Sequence, residues 1–286
     1  MPPVLFDRDL LALRRARAAR APADFLHEAV AREVSERLKE VNRSFRAPAL
    51  VGPRPGPWRA ALAQAGLPPP VCVPDDERLA LEAGAHDLAL HGLALHAAND
   101  PVGQLVQMRR ALRPDGLMIA PLFAGETLAE LRAVLAEAEI AATGRISPRV
   151  APMAALRDLG ALLQRAGLAM PVADAVRLAV AYASLFTLAR DLRAMGETNV
   201  LAARLRRPTR RAIFERAARL YAERFPAPSG RIRASFEVVF LTGWAPAEGQ
   251  QKPLRPGSAR ARLADALGAV EHPAGGRAGL APRSDR

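Results

Sequence analysis

The feature that most restricts the fold is an alternation of short apolar runs with helical segments. Apolar runs occur at residues 49–51, 71–73, 86–95 and 117–123. Helical composition fits residues 58–65, 101–112, 128–142 and 153–166, the last ended by Gly167. Runs this short, bounded by turn residues, read as buried strands. A further strand fits within 168–181, and helices fit 185–195 and 208–224. The stretch 235–244 is β-branched and aromatic, reads as a strong strand, and has no helix after it. Strands alternating with helices predict an α/β sheet whose strands are mostly parallel.

Two helical segments precede the first strand. Residues 10–19 are basic; the second segment has Asp24 as its expected cap and Val30, Val34, Leu38 and Val41 on one face. The expected organisation is an N-terminal helical segment at 1–46, an α/β domain at 47–246, and a disordered tail rich in Pro, Gly and Arg at 247–286.

Composition narrows the function. Cys72 is the single cysteine, which excludes a disulfide framework and a cysteine-built zinc site and suits a reducing compartment. His91 and His96 stand five apart with no third ligand near them, so no metal site is expected. The formal charge is +12, and all but two of the 41 basic residues, Lys39 and Lys252, are arginine. That bias suits a GC-rich coding sequence and a solvated surface; an acidic partner or an anionic membrane surface is the functional alternative. Few aromatics and no groove-reading motif argue against nucleic acid.

Several motifs stand in a specific order: Phe6-Asp7-Arg8, His96-Ala97-Ala98-Asn99-Asp100, Leu112-Arg113-Pro114-Asp115-Gly116, Gly125-Glu126-Thr127, Ser147-Pro148-Arg149, and the polar stretch from Asp191 to Asn199. With the last strand at 236–244, they resemble the methyltransferase-like assembly factors of respiratory complex I (the arginine-hydroxylating type). These are related to the malonyl-carrier-protein methyltransferases of biotin synthesis. The resemblance implies a Rossmann-like class I methyltransferase fold binding S-adenosylmethionine at the carboxyl ends of its first strands. It implies a complex I subunit as partner, in the cytoplasm or at the membrane periphery of a bacterium, or in the mitochondrial matrix of a eukaryote. The alternative is an active methyltransferase working on a small carrier-linked acid or a protein side chain.

The cofactor half departs from the family pattern. Gly52 and Gly56 remain of the glycine-rich turn, but Pro53, Pro55 and Pro57 stand between and beside them. A proline has no amide to donate and fixes φ. The segment between Gly56 and Val71 is too short for the family's second strand, whose terminal acid would hold the ribose, so that strand is expected to be missing. Asp75 or Asp76 could still accept from the adenine amino group. Hydrogen bonds to a charged group contribute about 1.5–3 kcal/mol each, so these losses move a micromolar cofactor toward millimolar affinity.

His96, Asn99 and Asp100 are the catalytic candidates by position. Against that reading, Asn99 or Asp100 can simply cap the helix opened by Pro101, and His96 can be structural. Ala97 replaces the family tryptophan. Glu126, Thr127, Arg149, Glu197 and Asn199 are candidates for contact with a substrate or partner. For Glu126 and Thr127 the alternative is a loop leading into a helix; for Glu197 and Asn199 it is a helix end at Gly196.

Overall fold

The computed structural model describes residues 4–250. A sheet in the order β2-β1-β3-β4-β7-β5 forms its centre, with β6 paired to β7. The strands are β1 (Pro48–Val51), β2 (Val71–Val73), β3 (His86–His91), β4 (Leu112–Ala124), β5 (Ala169–Tyr182), β6 (Pro226–Ala227) and β7 (Arg231–Trp244). β2, β1, β3 and β4 pair in parallel. β7 runs antiparallel to β4, β5 and β6, so among the described strands it alone points the other way. This is the Rossmann-like methyltransferase architecture. β2 pairs directly with β1, with only α3 (Pro55–Gln64) between them in sequence, as the shortened segment requires.

Helices cover both faces. The others are α1 (Arg8–Ala18), α2 (Phe25–Glu40), α4 (Pro101–Ala111), α5 (Ala129–Thr143), α6 (Leu156–Arg165), α7 (Leu185–Met195) and α8 (Arg211–Arg224). The period-two alternation of strands assigns each side chain to a face. Leu117, Ile119 and Phe123 of β4 join Phe236, Val238 and Phe240 of β7 in a core shared with α2, α3, α5, α7 and α8. Met118, Ala120 and Leu122 join Val239 and Leu241 in a second core with α4 and α6.

Three local expectations need correction. Asp24 sits at the start of α2 but makes no side-chain cap bond; its carboxylate pairs with the Arg54 guanidinium instead. The proline-rich stretch is not all loop: α3 begins at Pro55, so Gly56 and Pro57 form its first turn. β4 starts at Leu112, before the Pro114-Asp115-Gly116 turn, which becomes an irregularity inside the strand with Asp115 at φ 62°. The expected tail lies outside the described residues from 251 onward.

The N-terminal segment is bound to the carboxyl edge of the sheet. Asn99 Oδ1 accepts from the Leu5 and Phe6 amides at 2.9 and 2.8 Å, and its Nδ2 donates to the Phe6 carbonyl at 3.0 Å. On the other side Phe6 bridges to Leu201, and the Asp7 amide donates to the Val200 carbonyl at 2.8 Å. The segment is thereby held between β3's exit loop and the chain after α7. Replacing Asn99 by alanine removes three bonds at once and leaves backbone groups unsatisfied. We expect a loss of about 1–3 kcal/mol in urea unfolding and faster proteolysis near Phe6. Unchanged protection there would show the clamp to be dispensable.

Candidate functional site

Open α/β sheets bind ligands where the strand order reverses, outside the carboxyl ends of the strands. Here that place is the crevice between β1 and β3, where Gly52 and Gly56 were expected to act. It is closely packed. A Cβ on Gly52, whose φ is 152°, would lie 3.2 Å from the Gly92 carbonyl oxygen. A Cβ on Gly92 would lie 3.2 Å from the Trp58 indole nitrogen. Trp58, on α3, is fully buried and its Nε1 donates to His27 Nδ1 at 3.3 Å. Arg54 spans the same region, pairing with Asp24 and donating to the Ala194 carbonyl at 2.6 Å. Gly56 meets no atom within 4 Å of a Cβ position, so no close approach there requires glycine.

Asp75 lies two residues beyond β2 and is buried, but its carboxylate is engaged. Arg15 Nη1 donates to both oxygens at 2.8 Å, and Arg8 adds a contact at 3.3 Å. Burial alone would raise the Asp75 pKa; the Arg15 and Arg8 charges outweigh it, and the net shift is downward. Asp76 is exposed, and its carbonyl accepts from Gln104. Sequence reasoning missed both arginines. A signal existed: Arg8 and Arg15 are seven apart in α1, two turns on one face.

A cavity of about 650 Å³ opens beside this filled crevice, over the loop that follows β3 and the end of β4. Its wall includes His96, Thr127, Arg149, Glu197 and Asn199, but not Gly52, Gly56, Asp75, Asp76, Asn99, Asp100 or Glu126. Asn99 is the N-terminal clamp, and Asp100 caps α4 by accepting from the Gly103 amide at 2.7 Å. Glu126 is exposed. Thr127 is buried, with its hydroxyl donating to the Ala124 carbonyl at 2.8 Å and accepting from the Glu237 amide at 3.0 Å.

His96 and Glu197 form the polar centre of the wall. Gly196, at φ 83°, ends α7 and turns the chain so that Glu197 reaches His96 Nε2 at 3.0 Å. Burial would raise the Glu197 pKa, but His96, then Arg15, bring it down to about 2. An ionised carboxylate only accepts, so Nε2 carries the proton, and Nδ1 is left without a partner. The imidazole also stands edge-on to Phe123 with ring centroids 5.0 Å apart. Arg149 is committed to Glu139 through two bonds of 2.9 and 2.6 Å and to Thr209 at 2.6 Å. Hydrogen bonds from Arg149 and Ser147 hold Glu139 near pKa 2 against the effect of burial. Asn199 ties loops together, donating to the Pro148 carbonyl at 2.9 Å and accepting from the Leu201 amide at 3.1 Å.

His91 is completely buried at the end of β3, with Nε2 3.0 Å from Gln104 Oε1. Among the described residues no group of three or more His, Cys, Asp or Glu side chains is arranged to hold a metal ion. No described helix is long and apolar enough to cross a membrane.

No protein-family profile matches the chain. It is 32% identical over 285 residues to the human mitochondrial arginine-hydroxylase NDUFAF5, covering 89% of this chain and 81% of that protein. The zebrafish protein of the same name is 37% identical over 202 residues, 70% of this chain and 62% of that one. The malonyl-[acyl-carrier protein] O-methyltransferase of Laribacter hongkongensis is 34% identical over 193 residues, 68% of this chain and 62% of that one. The match thus spans under two thirds of the latter two relatives. Among solved structures, YcgJ of Bacillus subtilis aligns with a TM-score of 0.49 at 11% identity, over 77% of this chain and 99% of that chain.

The buried histidines make stability depend on pH. Burial lowers the pKa of both His27 and His91 from the ordinary 6.5 to about 4. An unfolded chain takes up protons at these sites below about 6.5, whereas the folded chain does so only near 4. Stability is therefore lost as pH falls from 6.5 to 4, by on the order of 3 kcal/mol per histidine. The depressed carboxylates of Asp75, Glu139 and Glu197 extend the loss as the pH falls further. Urea midpoints measured against pH should show this slope, and His91→Gln should flatten it. A level profile from pH 7 to 4 would contradict the assignment.

Proposed function

From the chain's membership of the methyltransferase-like family that includes arginine-hydroxylase NDUFAF5, we propose that it acts in the assembly or modification of respiratory complex I. It does so by binding a subunit of that complex, with its affinity for S-adenosylmethionine weakened or lost. Its compartment on this reading is the bacterial cytoplasm, with membrane-peripheral contact, or the mitochondrial matrix.

The observation that carries the reading is the engagement of Asp75 by Arg8 and Arg15. For Asp75 to accept from an adenine, the ion pairs must loosen. Breaking a buried pair costs about 3–5 kcal/mol, whereas one hydrogen bond to a charged acceptor returns about 1.5–3 kcal/mol. The exchange is unfavourable. The first turn of α3, which would face a bound cofactor, contains Pro55 and Pro57 and so lacks two amide donors. Trp58 and Arg54 fill the neighbouring space.

The similarity to a malonyl-carrier-protein methyltransferase, together with an open cavity over the strand ends, favours a second reading. On that reading the chain is an active methyltransferase for a carrier-linked acid or a protein side chain. Calorimetric titration of the full chain with S-adenosylmethionine separates the two. We expect affinity weaker than about 100 μM, a binding free energy below about 5.5 kcal/mol in magnitude. Micromolar binding would overturn the first reading. Affinity capture from native cells should recover complex I subunits, and deletion should lower that complex's abundance; an unchanged complex after deletion would refute the assembly role.

A further inference from the structure

The lining of the open cavity is chemically lopsided. Its floor is hydrocarbon: Phe123, Leu131, Leu185 and Phe236 are buried there, and Phe214 packs against them. Its wall and rim carry six arginines, Arg14, Arg149, Arg193, Arg204, Arg206 and Arg207. Among the described residues one carboxylate, Glu197, stands with them, and His96 already holds it. Arg149 and Arg204 are balanced by Glu139 and Asp7. Among the described residues, Arg14, Arg193 and Arg207 form no ion pair, and Arg206 lies within the electrostatic reach of Asp7, which Arg204 already holds.

Two further details point to a ligand. Arg14 Nε is buried and makes no hydrogen bond, and the Thr198 hydroxyl is in the same condition. Buried polar groups are ordinarily satisfied, and an incoming acceptor would satisfy these. The volume, about 650 Å³, lies within the range of about 300–1,000 Å³ usual for small-molecule sites.

We propose that this cavity binds a single-chain anionic amphiphile. The alkyl chain lies on the aromatic and leucine floor, and a carboxylate or phosphate head is held by the unpaired rim arginines. A cationic ligand is disfavoured twice: it meets the arginine charges, and the one acid that could receive it is committed to His96. The inference is independent of the complex I reading, since it rests on the cavity's own lining. Apolar burial sets the length dependence: each methylene removed weakens binding about fourfold. The head group sets the sign and salt dependence.

The test is calorimetric titration of the full chain with dodecanoate and dodecyl phosphate below their micelle concentrations. Dodecanol and dodecyltrimethylammonium provide the same tail with a neutral or cationic head. We expect the two anions to bind at least tenfold more tightly than the other two, and salt to weaken them. Arg206 and Arg207 are exposed, so R206Q/R207E, which puts no new negative charge beside Asp7, should fold normally and lose at least tenfold in anion affinity. Ala189→Trp, from α7 into the cavity, should weaken all tails while leaving thermal unfolding near that of the parent. Equal binding of all four heads, no binding of either anion, or full binding by A189W would overturn the proposal. Pelleting with phosphatidylglycerol vesicles distinguishes a bilayer source. A chain that pellets yet ignores both free dodecanoate and free dodecyl phosphate has a membrane-facing basic surface and no amphiphile site. Stronger binding of dodecyl phosphate than dodecanoate, lost in A189W, would support the site with a phosphate-headed occupant.

Discussion

The carboxyl edge of the sheet is organised around one buried carboxylate held by two arginines. Asp75 follows the edge strand β2, whereas Arg8 and Arg15 come from α1, sixty or more residues away in sequence. An isolated charge at 4% exposure would be untenable; paired, it fixes the position of a whole helix. Removing either side of such a pair costs about 3–5 kcal/mol, because the partner left behind cannot reach water. α1 therefore cannot move aside cheaply. Its placement decides which part of the edge is closed and which part stays open.

The closed part is the crevice between β1 and β3, where Trp58, His27 and Arg54 complete the packing. The open part lies over the loop after β3 and the end of β4, roofed by α1, α7 and the chain beyond Glu197. Arg15 contributes to both. It holds Asp75 on one side, and its charge helps keep Glu197 ionised on the other. A ligand entering the cavity thus meets groups already positioned by the interactions that fill the crevice. Closing of the crevice and shaping of the cavity are consequences of a single helix position.

Most of the scaffold was legible in the sequence because strand burial is local information. Four apolar runs became β1 to β4, and residues 185–195 form α7 with the expected bounds. Proline at a helix's first turn misled the reading of α3, since Pro55 and Pro57 are compatible with N1 to N3 positions as well as with a loop. Asp24 has the right type and place for a cap, yet Arg54 offers its carboxylate a charged partner that local sequence does not reveal. Among site residues, His96, Thr127, Arg149, Glu197 and Asn199 do meet in one cavity. Gly52, Asp75 and Asn99 have structural partners instead, each supplied by a segment distant in sequence. Cavity charge was the least visible quantity. Arginines spread over the whole chain say little until folding brings Arg14, Arg193 and Arg207 to one opening.

In the usual arrangement a glycine loop reads an anionic or nucleotide group with backbone amides, whose direction is fixed by the fold. Here α3 begins with prolines, and the cavity's wall is side chain: guanidinium groups, one imidazole and aromatic rings. Guanidinium donors are planar and can engage a carboxylate or phosphate with two parallel bonds, but on flexible stems whose ordering costs entropy. Hydrocarbon burial is tolerant of exact shape and scales with area. A wall of this kind discriminates by charge sign and tail length more than by detailed geometry. Its selectivity is therefore set by α1, α7 and residues 197–207, the segments that the Asp75 ion pairs and the Asn99 clamp hold against the sheet.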